Sequence, residues 1–270
     1  MRDAPRDWPP DDCPRTGPQG PWPSLDATHL DVIALLLPPT PPQPVDAGGA
    51  ACEWETLAPE ERARAERLRR PEAQRQFVLV RLALRRLLAG VTSTPAESLR
   101  FATGPHGKPH LHIDSGNPPV AFNVSHTRGL ALIALHPTAH LGIDVESERP
   151  GMDASGLAHR YFTPTEALAV HALPRGPAQS ERFLRVWARK EAFMKAVGHG
   201  VAMGLDRFEV DAGATGDGLR WWLPPADAPA GLPADPALWT LRDLPTPHGY
   251  FAAYAGSSPG LTPRLWRWSE

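Results

Sequence analysis

Thirty-three of the 270 residues are proline, and their positions limit where any strand or helix can run. Proline lacks a backbone N–H and has a fixed φ, so it ends ladders and interrupts helices. Twelve of them precede residue 45. Residues 1–25, rich in Pro and Asp, read as a largely extended or disordered leader, with a proline-rich ligand segment as the other reading. Leu30–Leu37 reads as a short buried strand stopped by Pro38-Pro39, followed by a Pro/Gly-rich connector to about Gly49. Leu57-Ala58-Pro59-Glu60-Glu61 opens a helix with proline and acids where an N-terminus favours them. Pro71 is expected to break it. A second helix over Glu72–Ala89 carries Phe77, Val80, Leu84, Leu87 and Leu88 at helical spacing and is expected to end on Gly90 as a C-cap.

From Leu99 to Glu146 the pattern changes to strands and turns. Gly104-Pro105-His106-Gly107-Lys108-Pro109 is a loop by composition. Val120–His126, Leu130–Leu135 and Leu141–Glu146 read as strands, then Ala154–His159, Pro164–His171 and Ser180–Val197 as helices. Beyond Gly204 the strand-like stretches are Phe208–Val210, Trp221–Leu223, Leu238–Leu241 and Tyr250–Tyr254. Helices followed by strands occur twice. This predicts an α+β fold of two similar halves, 26–138 and 139–270, the second carrying the candidate metal site. Apolar residues make up 41% of the chain, enough for a substantial core, and the net charge of −2 is not that of a general nucleic-acid binder. Two cysteines argue against a disulfide framework and for a reduced, cytoplasmic setting. No apolar h-region opens the chain and no apolar run is long enough for a bilayer, so neither a signal peptide nor a membrane span is expected.

The chemistry concentrates in Gly142-Ile143-Asp144-Val145-Glu146. Strand alternation puts Leu141, Ile143 and Val145 on one face and Gly142, Asp144 and Glu146 on the other. Two carboxylates side by side repel unless a cation lies between them, and magnesium suits hard oxygen ligands. A solvated edge strand is the alternative. On the helix that follows, Phe183, Trp187, Met194 and Val197 form an apolar stripe, with Glu191 and Lys195 four and eight residues after Trp187. A Glu and a Lys beside a packed face call for partners. Glu191 suits the metal site or a base near it, and Lys195 suits a phosphate; an ordinary surface ion pair is the alternative.

Other anion-binding candidates lie upstream. Ser125 and His126, in Asn123-Val124-Ser125-His126, and Lys108 could hold a phosphate, or be structural and solvated respectively. Among nine arginines between residues 62 and 86, Arg70 and Arg75 lie nearest the helix junction at Pro71. No Gly-x-Ser-x-Gly elbow, dinucleotide fingerprint, His-Glu-x-x-His, Cys-x-x-Cys or Walker A pattern occurs.

Four ordered motifs together resemble the 4′-phosphopantetheinyl transferase superfamily in its larger, surfactin-synthetase-activating type. They are Gly107-Lys108-Pro109, Asn123 to His126, Gly142-Ile143-Asp144-x-Glu146, and Trp187-x-x-Lys190-Glu191-x-x-x-Lys195, with Glu191 placed 47 residues after Asp144. Leu57–Leu88 resembles the family's Arg-rich N-terminal helices, and Arg160–Glu166 its linking segment. Ala188 departs from the Ser or Thr common after the Trp, and the Pro-rich leader lies outside the family pattern.

The resemblance implies two pseudosymmetric α+β halves with coenzyme A in the cleft between them. It also implies a monomer that is internally a pseudodimer. Asp144, Glu146 and Glu191 would hold magnesium with the coenzyme A diphosphate, and Lys195 would contact that diphosphate. Lys108, Ser125 and His126, with Arg70 or Arg75, would hold the nucleotide's phosphates. The implied reaction moves 4′-phosphopantetheine from coenzyme A to a serine of an apo acyl or peptidyl carrier protein of fatty-acid, polyketide or nonribosomal peptide synthesis, releasing 3′,5′-ADP. Glu191 is the candidate base and Lys195 the stabiliser of the leaving phosphate. A metal-dependent phosphohydrolase and a non-catalytic coenzyme A or carrier-protein binding module are the alternatives.

Overall fold

A computed structural model describes Trp8 and residues 13–37, 54–112, 119–137, 140–213, 218–223 and 232–269. The expected connector after Leu37 lies outside the described residues. Along the chain come β1 (Arg15–Thr16), β2 (His29–Leu36), α1 (Pro59–Glu66), α2 (Pro71–Thr92), β3 (Phe101–Thr103), β4 (Pro109–Leu111), β5 (Ala121–Thr127) and β6 (Leu130–His136). After them come β7 (Leu141–Ser147), α3 (Ala154–Tyr161), α4 (Pro164–His171), α5 (Pro177–Val197), β8 (Phe208–Val210), β9 (Leu219–Trp222), β10 (Thr240–Leu244), β11 (Tyr250–Gly256) and β12 (Thr262–Trp268).

Helix ends follow local chemistry. Pro59, Pro71, Pro164 and Pro177 each open a helix, where a missing N–H costs nothing. Pro71 therefore starts α2 instead of only breaking its predecessor, with Arg70 as N-cap. Glu61 Oε2 accepts the Ala58 N–H at 2.9 Å, closing the first turn of α1. Gly90 is not the C-cap of α2: the helix continues to Thr92 and stops on Ser93, which takes the left-handed conformation at φ 53°. At Gly90 a Cβ would fall 2.1 Å from the Trp22 ring, so the glycine makes room for an indole packed on the helix.

The core is layered by strand alternation. Even-numbered Val32, Ala34, Leu132 and Ala134 face one side of the first sheet, and odd-numbered Ile33, Leu35, Ile133 and Leu135 face the other. The odd set packs under Val80, Leu84, Leu87 and Leu88 of α2. The even set meets Leu141, Ile143 and Val145 of β7 and Ala252 and Tyr254 of β11. The opposite face of β11, Phe251, Ala253 and Ala255, packs with Ala192, Met194 and Ala196 of α5. The order through the molecule is helix, sheet, sheet, helix: two α+β halves stacked sheet to sheet.

The first sheet runs β1-β12-β2-β6-β5 and the second β10-β11-β7. β12 is parallel to both β1 and β2. The chain's last strand thus lies in the sheet of the first half, and a linear second half of 139–270 does not describe its course. The leader reading changes as well. Residues 13–25 supply β1, the buried Thr16 and the half-buried Trp22, and Trp8 sits in the core between the sheets. Leu238 belongs to a 3-10 turn, Pro236–Leu238, and the strand beyond it is Thr240–Leu244.

Candidate active site

The site is built where β7 meets α5, and Gly142 sets how closely. A Cβ there would lie 2.0 Å from the Ala192 carbonyl oxygen and 2.4 Å from the Ala196 nitrogen. The helix backbone rests directly on the strand, on the face that alternation gives to Gly142, Asp144 and Glu146. The same packing fixes Glu191 and Lys195 on the helix above.

β5 lies beside β7 and is joined to it by side chains. Asn123 Oδ1 accepts the Ile143 N–H at 2.9 Å, and Ser125 Oγ accepts the Val145 N–H at 3.3 Å. The Thr127 and Ser147 hydroxyls meet at 2.9 Å. Residues 123, 125 and 127 thus present one strand face to the neighbouring half.

Asp144 is buried. Its Oδ1 accepts from Ser125 Oγ at 2.9 Å and from Lys195 Nζ at 2.6 Å. Lys195 Nζ also donates to Ser125 Oγ at 3.0 Å and the Ile143 carbonyl at 3.2 Å. All three ammonium hydrogens therefore have acceptors within the protein. Glu146 is half-buried and accepts from Arg149 at 3.2 Å. Burial, then the Asp144 charge, pushes the Glu146 carboxyl above its ordinary pKa. Glu191 is raised by burial first, then by Asp144 and Glu146, with Lys195 opposing. Both Glu146 and Glu191 thus feel the Asp144 charge.

Does this donor set suit a divalent cation? Asp144 Oδ2 is buried without a hydrogen-bond partner, and such an oxygen lacks the solvation a cation would restore. Carboxylate oxygens are also the ligands a hard ion prefers. In chemistry the residues fit. In placement they are not a finished cluster: among the described residues no group of three His, Cys, Asp or Glu side chains is gathered to hold a metal ion. Here the cation on Asp144 is Lys195.

The remaining candidates divide. His126 is exposed at the same end of β5, and its pKa is lowered by the surrounding protein, then by Lys195 and Arg64. Arg64, on α1, is thus the arginine whose charge reaches His126, and it also lies 5.3 Å over the Phe77 ring. Arg70 is exposed at the N-cap of α2, and Arg75, five residues on, is half-buried. Lys108 is turned inward, donating to the Leu141 carbonyl at 2.9 Å and the Ala196 carbonyl at 3.1 Å. Ser125 is taken up by Asp144, Lys195 and the β7 backbone.

Two roles escaped sequence reasoning. Lys190, within the Trp187–Lys195 motif, is fully buried: it pairs with the equally buried Glu166 at 2.8 Å and donates to the Leu205 and Phe208 carbonyls, each at 2.7 Å. It anchors α5 to α4 and β8 and takes no part in the site. Asn123 was legible only as a motif letter, and its hydrogen bond across to β7 gives it a role. An Asn two positions before a Ser on one strand face was the available signal.

Residues 140–236 match the family model of the 4′-phosphopantetheinyl transferase superfamily, and residues 49–138 match that of the 4′-phosphopantetheinyl transferase N-terminal region. The chain belongs to the 4′-phosphopantetheinyl transferase superfamily and is an enzyme of that class. Over 243 residues it is 34% identical to the 4′-phosphopantetheinyl transferase HetI of a Nostoc species, covering 90% of this chain and 93% of that protein. It is 32% identical over 192 residues to the Bacillus pumilus 4′-phosphopantetheinyl transferase psf-1, covering 69% and 78%. It is 31% identical over 170 residues to the human L-aminoadipate-semialdehyde dehydrogenase-phosphopantetheinyl transferase, covering 59% and 55%. These transferase relatives do not favour the hydrolase or the non-catalytic reading.

Proposed function

We propose that this chain moves 4′-phosphopantetheine from coenzyme A to a serine of an apo acyl or peptidyl carrier protein, releasing 3′,5′-ADP. Within the superfamily the stacked halves support the larger, two-half type acting as a monomer. The observation that carries the reading is Asp144 Oδ2, buried and unpartnered, on a strand that also bears Glu146 and beneath the helix that bears Glu191, each of which feels the Asp144 charge. Asp144, Glu146 and Glu191 would hold magnesium, which when bound neutralises a diphosphate and polarises its bridging bond.

The protein's own groups then divide the work. The carrier serine's oxygen forms a bond to the β-phosphorus as the bond to the nucleotide's phosphate breaks. Glu191, directly or through a water, takes the serine proton. Lys195 exchanges one of its present acceptors for the leaving phosphate. His126 faces the nucleotide's phosphates, and Arg64, whose charge reaches it, joins Arg70 and Arg75 as a candidate for the same role. A cytoplasmic setting is supported by the two cysteines, and among the described residues no helix is long and apolar enough to cross a membrane.

Apo-carriers incubated with the chain, coenzyme A and magnesium should each gain one phosphopantetheine by intact mass. Glu191→Gln should lower transfer by at least about 100-fold with an unchanged circular dichroism spectrum. Full activity in that variant overturns the assignment.

A further inference from the structure

We propose that Lys108 is a positioning residue for the acid site: by bridging the Leu141 and Ala196 carbonyls it sets the spacing of β7 and α5, and through it the places of Asp144 and Glu191. This rests on the functional reading above and departs from a phosphate-binding role for this lysine.

Lys108 comes from the loop between β3 and β4, in the first half, while both acceptors belong to the second. Leu141 is the first residue of β7, and Ala196 is in the last turn of α5, where carbonyls lack helical partners. A cation donating there also opposes the negative end of the helix dipole. One ammonium therefore clips the start of the strand bearing Asp144 and Glu146 to the end of the helix bearing Glu191 and Lys195.

The clip acts at a close approach of the two backbones. Leu141 adjoins Gly142, and Ala196 belongs to the contact itself, in which Gly142 meets the Ala192 oxygen and the Ala196 nitrogen. The lysine stem has its own berth: a Cβ at Gly198, the left-handed cap of α5 at φ 82°, would approach Lys108 Cδ to 3.2 Å. Burial lowers the Lys108 pKa to about 8. Even the neutral amine keeps two N–H groups, one for each carbonyl, so the bridge has donors in either protonation state.

The test compares the full-length chain with Lys108→Met, which keeps the stem and loses the donor, and with Lys108→Arg, which keeps charge and donors. Calorimetry without magnesium measures binding of coenzyme A and of 3′-dephospho-coenzyme A; a second titration measures magnesium. The Met variant should keep the parent's affinity ratio for the two nucleotides, bind magnesium several-fold more weakly, and lose about 10- to 100-fold in kcat, the scale set by small misplacements. The Arg variant should lie nearer the parent in magnesium affinity and kcat. Selective loss of affinity for coenzyme A over its dephospho form would place Lys108 on the phosphate and overturn the proposal. So would unchanged magnesium affinity in the Met variant, or an Arg variant no better than Met. The magnesium titration reads the spacing role even where the parent modifies no carrier, an outcome that counts against the functional reading alone.

Discussion

At the scale of single residues, Gly142 shows how a side chain that is missing positions those that react. Strand alternation alone placed it on the face of Asp144 and Glu146. The space where its side chain would be is taken by helix backbone. Gly142→Ala sets a methyl group against two main-chain atoms of α5, which cannot turn aside as a flexible side chain would. Overpacking of this kind costs about 1–3 kcal/mol, so thermal unfolding followed by circular dichroism should show Tm lowered by roughly 2–12 °C for a chain of this size. An unchanged Tm would mean that strand and helix are not in contact here. Asp144 and Glu146 were legible because a period of two needs no tertiary knowledge. The influence of Arg64 was not: which of nine arginines lends its charge to His126 depends on how α1 packs, while proximity to Pro71 pointed to Arg70 and Arg75. Lys108 and Ser125 were found as polar groups in the right region, but their acceptors lie in the other half of the chain, beyond the reach of local pattern.

Among the elements, the long helices show where propensity and packing part. Gly90 after a helical run reads as a C-cap, because glycine favours the left-handed turn there. In the fold that conformation falls to Ser93, and Gly90 serves the indole of Trp22, from a segment whose proline content suggested no fixed structure. Gly90→Ala would gain about 1 kcal/mol of helix propensity, yet its Cβ would overlap the Trp22 ring. The expected result is net destabilisation in urea, turning neutral or stabilising when combined with Trp22→Ala; a stabilising single variant would show that Trp22 does not pack there. α5 was legible in type and its start was misplaced by only a few residues. The burial of its Arg189 and Lys190 was not, since nothing in the local pattern marks their partners. Lys190 is held by Glu166, and Arg189 by Asp243 at 2.7 Å and the Asp211 and Gly213 carbonyls. Each of these partners lies at least 20 residues away in sequence.

For the whole molecule, the decisive feature is that the halves share a core and exchange a strand. Val32, Ala34, Leu132 and Ala134 of one sheet pack directly on Ile143, Val145 and Tyr254 of the other. β12, from the end of the chain, inserts between β1 and β2, and its Arg264 binds the fully buried Asp31 at 2.9 and 2.7 Å while Trp266 Nε1 donates to the same carboxylate at 2.7 Å. Removing one partner of a buried ion pair typically costs about 3–5 kcal/mol because a charge is left without compensation. Arg264→Met should therefore lower the urea midpoint strongly, although it lies far along the chain from the residues of α2. Neither sheet can lose its neighbour without exposing the apolar layer between them, so stability is not divisible at the middle of the chain. Far-UV circular dichroism and tryptophan fluorescence should report one coincident transition in the parent and in the variant, displaced together. Two separated transitions, or a variant that unfolds only one sheet, would show that the halves are independent bodies and that the cleft between them is not held by the core described here.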